Sequence, residues 1–238
     1  MSSAPQPRTL EGCTSCRLRG EHAFCNVTSV ALHLLDQLSY AVTYPQRVIL
    51  FSQEQPCRGV FILCSGKAKI SALARSGKPL MLRIAEAGEV LGLSAAISGR
   101  TYDVTAETLA PSQIRFMKRE DFIEFLRNSP ESIAKVISAL GHEYEQALDS
   151  LRSLALLDTA TARVAQLLLK LCLEGKNGNQ EKLSAKFLLT QEQIAQMTAT
   201  TRETVTRLLA QLRRQRVISI RGSNLIIRDR KALERLAV

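Results

Sequence analysis

Nowhere in the 238 residues does an apolar run reach the roughly 18 residues of a membrane-spanning helix, so no such span is expected. The stretch from Met1 to Arg19 lacks the apolar central block of a secretory signal, which points to a cytoplasmic chain. Two catalytic signatures are also missing: a glycine loop followed by Lys-Ser/Thr that cradles phosphates, and a Gly-x-Ser-x-Gly nucleophile elbow. An enzyme is therefore not expected. No internal repeat or low-complexity block is present. Acidic residues are scarce beside basic ones, 22 Asp and Glu against 32 Lys and Arg, and the net charge of +10 points to an anionic partner. With 45% hydrophobic and 23% charged residues, the chain has the composition of a soluble globular protein and the length for two domains with cores of their own.

The most informative stretch runs from Leu189 to Asp229. Thr190 to Gln193 is a capping-box pattern, in which a hydroxyl and an amide satisfy the free N–H groups opening a helix. Ile194 and Met197 then face inward. After the turn Thr198-Ala199-Thr200 a second helix is expected to open at Thr200 or Thr201. Its Val205, Leu208, Leu209 and Leu212 form one buried stripe at i, i+3, i+4, i+7 spacing. Arg202, Glu203, Thr206, Arg207, Arg213 and Arg214 remain on the other face, the composition either of a solvated helix face or of one that meets DNA. A two-run wing follows: Val217, Ile218 and Ile220, the turn Arg221-Gly222-Ser223-Asn224, then Leu225, Ile226 and Ile227. From Arg202 onward ten basic residues stand against only Glu203, Asp229 and Glu234, the footprint that a phosphate backbone requires.

Such a helix reads bases by simple chemistry. Arginine bonds in bidentate fashion to guanine and a carboxylate accepts from cytosine, so Arg202, Glu203 and Arg207 are candidates for base contact in the major groove. Thr201, Thr206 and Arg214 are candidates for phosphate contact. Glu203 has a competing role as capping-box partner of Thr200.

Upstream, Met1 to Arg8 reads as a loose Ser/Pro-rich end, and Cys13 to Cys25 as a segment too polar to fold by its own burial. A short helix around Ala31 to Leu38 leads into strand-like runs at Arg47–Phe51, Gly59–Leu63, Lys67–Leu73, Leu80–Ile84, Tyr102–Thr108 and Gln113–Met117, consistent with an antiparallel roll. Lys118 starts a short helix and Pro130 a long one. In the long helix Ile133, Ile137, Leu140, Tyr144, Leu148 and Leu151 recur every 3.5 residues, a seam that packs either on the chain's own roll or, in the reading we prefer, on a second copy as a coiled coil. A third helix covers Ala162 to Leu173, followed by a polar loop from Glu174 to Gln180. The expected fold class is α+β, divided into a cysteine-bearing segment (1–28), a β-roll (29–128), a dimerisation helix (129–157) and a winged helix-turn-helix (158–238).

Roll, long helix and winged helix-turn-helix in that order resemble the Crp/Fnr family of bacterial transcription regulators over nearly the whole chain. The most specific match is Arg202-Glu203-Thr204-Val205-Thr206-Arg207, which is similar to the family's recognition-helix signature. The turns Ser65-Gly66 and Gly88-Glu89-Val90-Leu91-Gly92 resemble turns of its cyclic-nucleotide-binding-like roll. The resemblance implies a homodimer on palindromic double-stranded DNA, half-sites about one helical turn apart and of the TGTGA kind, and contact with RNA polymerase. In cyclic-nucleotide members a Gly-Glu pair and a later Arg-Ser pair clamp the phosphate. Here Gly88-Glu89 stands at the first, but Tyr102-Asp103 at the second, with Arg100 and Thr101 close by, so cyclic AMP is not the expected ligand.

Cysteines are the better lead to a signal. Cys13-x2-Cys16-x8-Cys25 resembles the oxygen-sensing Fnr branch, which implies a [4Fe-4S] cluster with a fourth cysteine from the roll. The branch's fourth position aligns with Ser112; Cys57 or Cys64 could substitute, and Cys57, in a polar turn after Pro56, is our candidate. Cys64 ends an apolar strand and Cys172 lies in an apolar helical run, so both read as packed residues. Two other readings stay open: Zn²⁺ on Cys13, Cys16, His22 and Cys25, and redox-active or unligated thiols. His33 and His142 read as helix-surface residues.

Overall fold

Residues 12–16, 20, 24–74, 77, 79–174, 184–186, 189–222 and 224–237 are described by the computed structural model of the protein. It divides into two units, Met1–Gln146 and Ala147–Val238. The expectations for Met1 to Arg8, for His22 and for most of the loop from Glu174 to Gln180 lie outside the described residues.

The first unit begins with α1 (Ser29–Leu38), whose N-cap Thr28 accepts from Ala31 N–H. The strands β1 (Ser39–Tyr44), β2 (Ile49–Phe51), β3 (Gly59–Ser65), β4 (Lys67–Leu73), β5 (Pro79–Glu86) and β6 (Val90–Leu91) follow. Next come α2 (Leu93–Ser98), β7 (Thr105–Thr108), β8 (Ser112–Lys118), α3 (Arg119–Asn128) and α4 (Pro130–Leu156), the last running from the first unit into the second. Two antiparallel four-stranded sheets result, ordered β1-β8-β3-β6 and β2-β7-β4-β5.

Strand β3 is buried on both faces, and its period-two alternation divides the core of this unit. Phe61 and Leu63 point between the sheets, toward Phe51, Ile70, Leu91, Tyr102 and Ile114. Val60 and Ile62 point the other way, toward Leu32 and Leu35 of α1 and Phe122 and Phe125 of α3. The β3–β4 turn requires its glycine: Gly66 has φ +96°, and a Cβ there would stand 2.2 Å from Ser112 Oγ.

All six strand-like runs form strands, with shifted ends. The run expected from Tyr102 starts as a strand only at Thr105; Tyr102 instead stacks on Phe51 at 4.1 Å, and its hydroxyl donates to Gly59 O. Strand β1 is not apparent from the sequence because it is an edge strand with five of six residues outside the core and therefore no alternation to read. Helix α4 matches its expected span. Within it only Ser132 and Val136 are buried.

The second unit continues with α5 (Ala160–Glu174), β9 (Ser184–Lys186), α6 (Gln191–Met197), α7 (Arg202–Arg214), β10 (Ile218–Arg221), β11 (Asn224–Ile227) and α8 (Arg230–Leu236). The wing is wider than the hairpin read from sequence, since β9 pairs with the far side of β11. Val164, Leu168 and Cys172 of α5, Ile194 of α6, the four-residue stripe of α7, Leu225 of β11 and Leu233 of α8 are all buried. Cys172 is thus a core residue, as its apolar surroundings in the sequence imply.

Candidate nucleic-acid interface and cysteine site

Helix α7 is placed by three local devices. The capping box forms as read, with Thr190 accepting from Gln193 N–H at 3.2 Å and Gln193 Oε1 accepting from Thr190 N–H at 2.8 Å, which sets the start of α6. The turn bends at Ala199, whose φ of +47° lies in the left-handed region. At the end of α6, Arg163 of α5 donates through Nε to Thr198 O at 2.8 Å. Helix α7 then opens with Thr201 as N-cap, accepting from Thr204 N–H at 3.2 Å. Of the two openings expected, Thr201 is the one formed, so Glu203 is not the capping-box partner of Thr200.

Val205, Leu208, Leu209 and Leu212 are buried beneath α7, while Arg202, Glu203, Thr206, Arg207, Arg213 and Arg214 are exposed. Among the described residues none of these four arginines takes part in an ion pair. Glu203 is held ionised below the usual carboxylate range by its own backbone N–H and by the Thr201 hydroxyl, with a smaller contribution from Arg202. Thr201 and Thr206, expected at phosphates, already have structural partners. Thr201 caps the helix, and Thr206 Oγ1 lies 2.8 Å from Arg202 O and within hydrogen-bond distance of Gln191 Oε1.

In the first unit the Gly88-Glu89 turn is committed to the protein itself. Glu89 accepts from Glu86 N–H at 2.7 Å and from Arg83, whose other nitrogen reaches Glu143 of α4 at 3.3 Å. Burial pushes the Glu143 carboxyl above its ordinary range, against the pull of Arg83. A cavity of about 250 Å³ opens between Tyr44, Phe51, Arg58, Phe61 and Tyr102, and neither Glu89 nor Arg100 lines it.

The cysteine segment docks on α1. Cys13 is buried, and its N–H donates to Asp36 Oδ2 at 2.7 Å. The other Asp36 oxygen accepts from Arg115 of β8 at 2.7 Å, and Arg115, itself buried, also reaches Ser39 Oγ at 3.1 Å. Phe24 packs on Phe125 with ring centroids 6.2 Å apart. Burial pushes the Cys25 thiol up to about 12 and raises Cys13 and Cys64 as well. Besides burial, the charges felt at Cys25 are those of Cys64, Cys16 and Arg115; Cys13 feels Arg115, Asp36, Cys25 and Cys64. The four thiols are therefore electrostatic neighbours. Among the described residues no three His, Cys, Asp or Glu side chains gather closely enough to share one metal ion. Cys57 packs against the core that holds Cys13 as well as against the one between the sheets, beside the Tyr102 hydroxyl and with its thiol 3.7 Å from Gly59 O.

Residues 162–236 match the model of the Crp-like helix-turn-helix domain, and residues 41–129 that of the cyclic nucleotide-binding domain. A CRP-like cAMP-activated global transcriptional regulator of Mycobacterium tuberculosis is 27% identical over 216 residues, 90% of this chain and 95% of that protein. The transcriptional activatory protein AadR of Rhodopseudomonas palustris is 26% identical over 233 residues, 94% of this chain and 92% of that protein. A mutant of CooA from Carboxydothermus hydrogenoformans shares the fold, with a TM-score of 0.73 at 20% identity over 90% of this chain and 92% of that one. With the two domain models in the order of its own two units and an exposed arginine-rich helix in the second, the chain belongs to the Crp/Fnr family of DNA-binding transcription regulators.

Proposed function

We propose that the protein binds a two-fold symmetric DNA site as a homodimer, reading bases with Arg202, Glu203 and Arg207 of α7. The observation that carries this is the division of that helix: one face buried by four aliphatic residues, the other presenting guanidinium groups and a single ionised acid to solvent. Arg213 and Arg214, in the last turn, complement the helix dipole and lie where backbone phosphates flank a groove. The seam of α4 supports the dimer. Ile133, Ile137, Tyr144 and Leu151 are 41–65% exposed in the single chain, whereas Leu140 and Leu148 are half-buried. A 3.5-residue apolar repeat in that setting fits a parallel partner helix. Retention of a palindromic duplex at physiological salt against an unrelated duplex of equal length tests the reading; sequence-blind, salt-sensitive binding would reduce the domain to a basic surface.

The signal in this reading is oxygen or redox state, sensed by an iron-sulfur cluster on Cys13, Cys16, Cys25 and a fourth thiol. When bound, such a cluster supplies oxygen-labile redox chemistry. Cys13, Cys25, Cys57 and Cys64 belong to or pack against one core, and thiolates are the ligands such a cluster takes. The protein's own part is transmission. Thr28, three residues after Cys25, donates both its N–H and its hydroxyl to Glu131 in the first turn of α4. Ordering of the cysteine segment is thereby tied to the start of the dimerisation helix, the element whose orientation sets the spacing of two reading heads. Cyclic AMP is not the signal in this reading, since Glu89 is held by Arg83 and Glu86 and Tyr102 is a core residue.

A further inference from the structure

We propose that the fourth thiol of the sensor site is Cys64 of β3, and that Cys57 is not a ligand. This rests on the reading above that Cys13, Cys16 and Cys25 hold an iron-sulfur cluster, and it identifies the residue by which the roll is joined to that cluster.

The argument starts from strand parity. Successive side chains on a strand point to opposite faces, and on β3 the even-numbered Val60 and Ile62 share the core beneath α1 and α3 with Cys13 and Phe24. Cys64 packs against the same core and hydrogen-bonds with the backbone of Arg115, whose guanidinium pairs with Asp36 beside Cys13; Cys57 packs against that core too, but also against the core between the sheets. The ladder between β3 and β8 changes register there: Leu63 pairs with Ile114 and Ser65 with Gln113, which leaves Cys64 as the extra residue of a bulge. A bulge re-aims a side chain and ends regular pairing, and here it does so at the edge of the cysteine segment.

Strand β8 gives the same answer from the other side. Ile114 and Phe116 belong to the core between the sheets, and Arg115 turns outward to Asp36. Ser112 has the parity of Ile114, and its hydroxyl donates to Ala110 O at 2.8 Å; a cysteine there would face away from Cys13. The site on β8 that the family resemblance favours is therefore closed to a ligand, and the neighbouring strand supplies one instead. Cys57 lies before the strand begins, in the surroundings of the Tyr102 hydroxyl and Gly59 O.

The setting also suits an anionic group. Four thiolates around an iron-sulfur core leave it with net negative charge, and the buried Arg115 guanidinium acts electrostatically on Cys13, Cys25 and Cys64 alike. Asp36 holds Arg115 in place and at the same time anchors Cys13 through its backbone. Arg115 is thus a positioning and charge-balancing residue rather than a ligand.

The test uses full-length protein purified under nitrogen, with iron and acid-labile sulfide assayed per protomer and the visible spectrum recorded. Cys64→Ser is expected to lower iron and sulfide by about tenfold or more while leaving the circular dichroism spectrum unchanged, and Cys57→Ser to leave iron content at the wild-type level. A second measurement avoids reliance on the folding of the variant. Wild-type protein is alkylated before and after air exposure and its peptides are weighed; labelling of Cys64 is expected to rise together with that of Cys13, Cys16 and Cys25, and labelling of Cys57 to stay constant. Full iron in the Cys64→Ser protein, or Cys64 labelling indifferent to air, would overturn the assignment while leaving the cluster reading intact. Wild-type protein without iron would overturn both.

Discussion

Helices α7 and α4 dispose of their two faces in opposite ways. Under α7 every aliphatic residue of the stripe is buried within its own unit, and what remains outside is mostly charged or polar. Along α4 only Ser132 and Val136 are buried, and what remains outside includes an apolar row, Ile133, Ile137, Tyr144 and Leu151, among polar residues. A helix whose residual face is charged is complete as a folded element and free to meet a polyanion; one whose residual face is apolar awaits another protein surface. The two therefore differ in the partner they imply, and in what a substitution on each face should do.

The largest effect is expected inside α7. Leu209→Ala removes a side chain only 4% exposed and should destabilise the C-terminal unit by roughly 2–5 kcal/mol, read as an earlier urea midpoint. A loss under about 1 kcal/mol would mean that this face is not the one that packs. On α4 the informative change is at an exposed position. Ile137→Glu should leave each protomer folded yet weaken self-association by about a hundredfold, roughly 3 kcal/mol, because it sets like charges against each other in an apolar seam. Sedimentation velocity measures this, and an undiminished dimer would return the seam to some other role.

Smaller effects sharpen the account of the charged face. Arg202→Ala should cost about 1–3 kcal/mol of specific binding and relax preference at one base position, measured by competition among singly substituted duplexes. An equal loss on every duplex would make Arg202 a phosphate contact. The smallest expected effect is with pH. Because Glu203 has its carboxyl held below the ordinary range, its charge is present at neutral pH and is lost only as pH falls through that lowered value. Base discrimination that depends on Glu203 should thus be flat between about pH 8 and 6. A change within that window would point to a different titrating group.

The two cysteine-bearing strand regions show where local reading stops. The signals for α6 and α7 are short-range: a hydroxyl three residues from an amide, a four-residue stripe, a turn of small residues. Each acts within a few residues, so the sequence contains the whole cause. The long helix was equally legible in extent, from Pro130 onward. By contrast, the residues next to Cys57 and Cys64 in sequence do not fix their surroundings in the fold. In a polar turn, Cys57 reads as the accessible thiol; at the end of an apolar run, Cys64 reads as a packed one. Their places follow from the bulge at β3, from the parity shared with β8, and from the docking of a segment some fifty residues upstream.

By itself the sequence determined the order of most elements, helix α7 with its buried stripe and exposed arginines, the 3.5-residue apolar repeat of α4 and the core role of Cys172, because periodicity, capping and composition are properties of neighbouring residues. Tertiary structure alone decided that Thr201 rather than Thr200 opens α7, that β9 widens the wing, that Glu89 is bound to Arg83, and that Arg115 pairs with Asp36 beside Cys13. Those outcomes depend on which strands pair and in what register, and a shift of one residue in register sends every side chain to the opposite face.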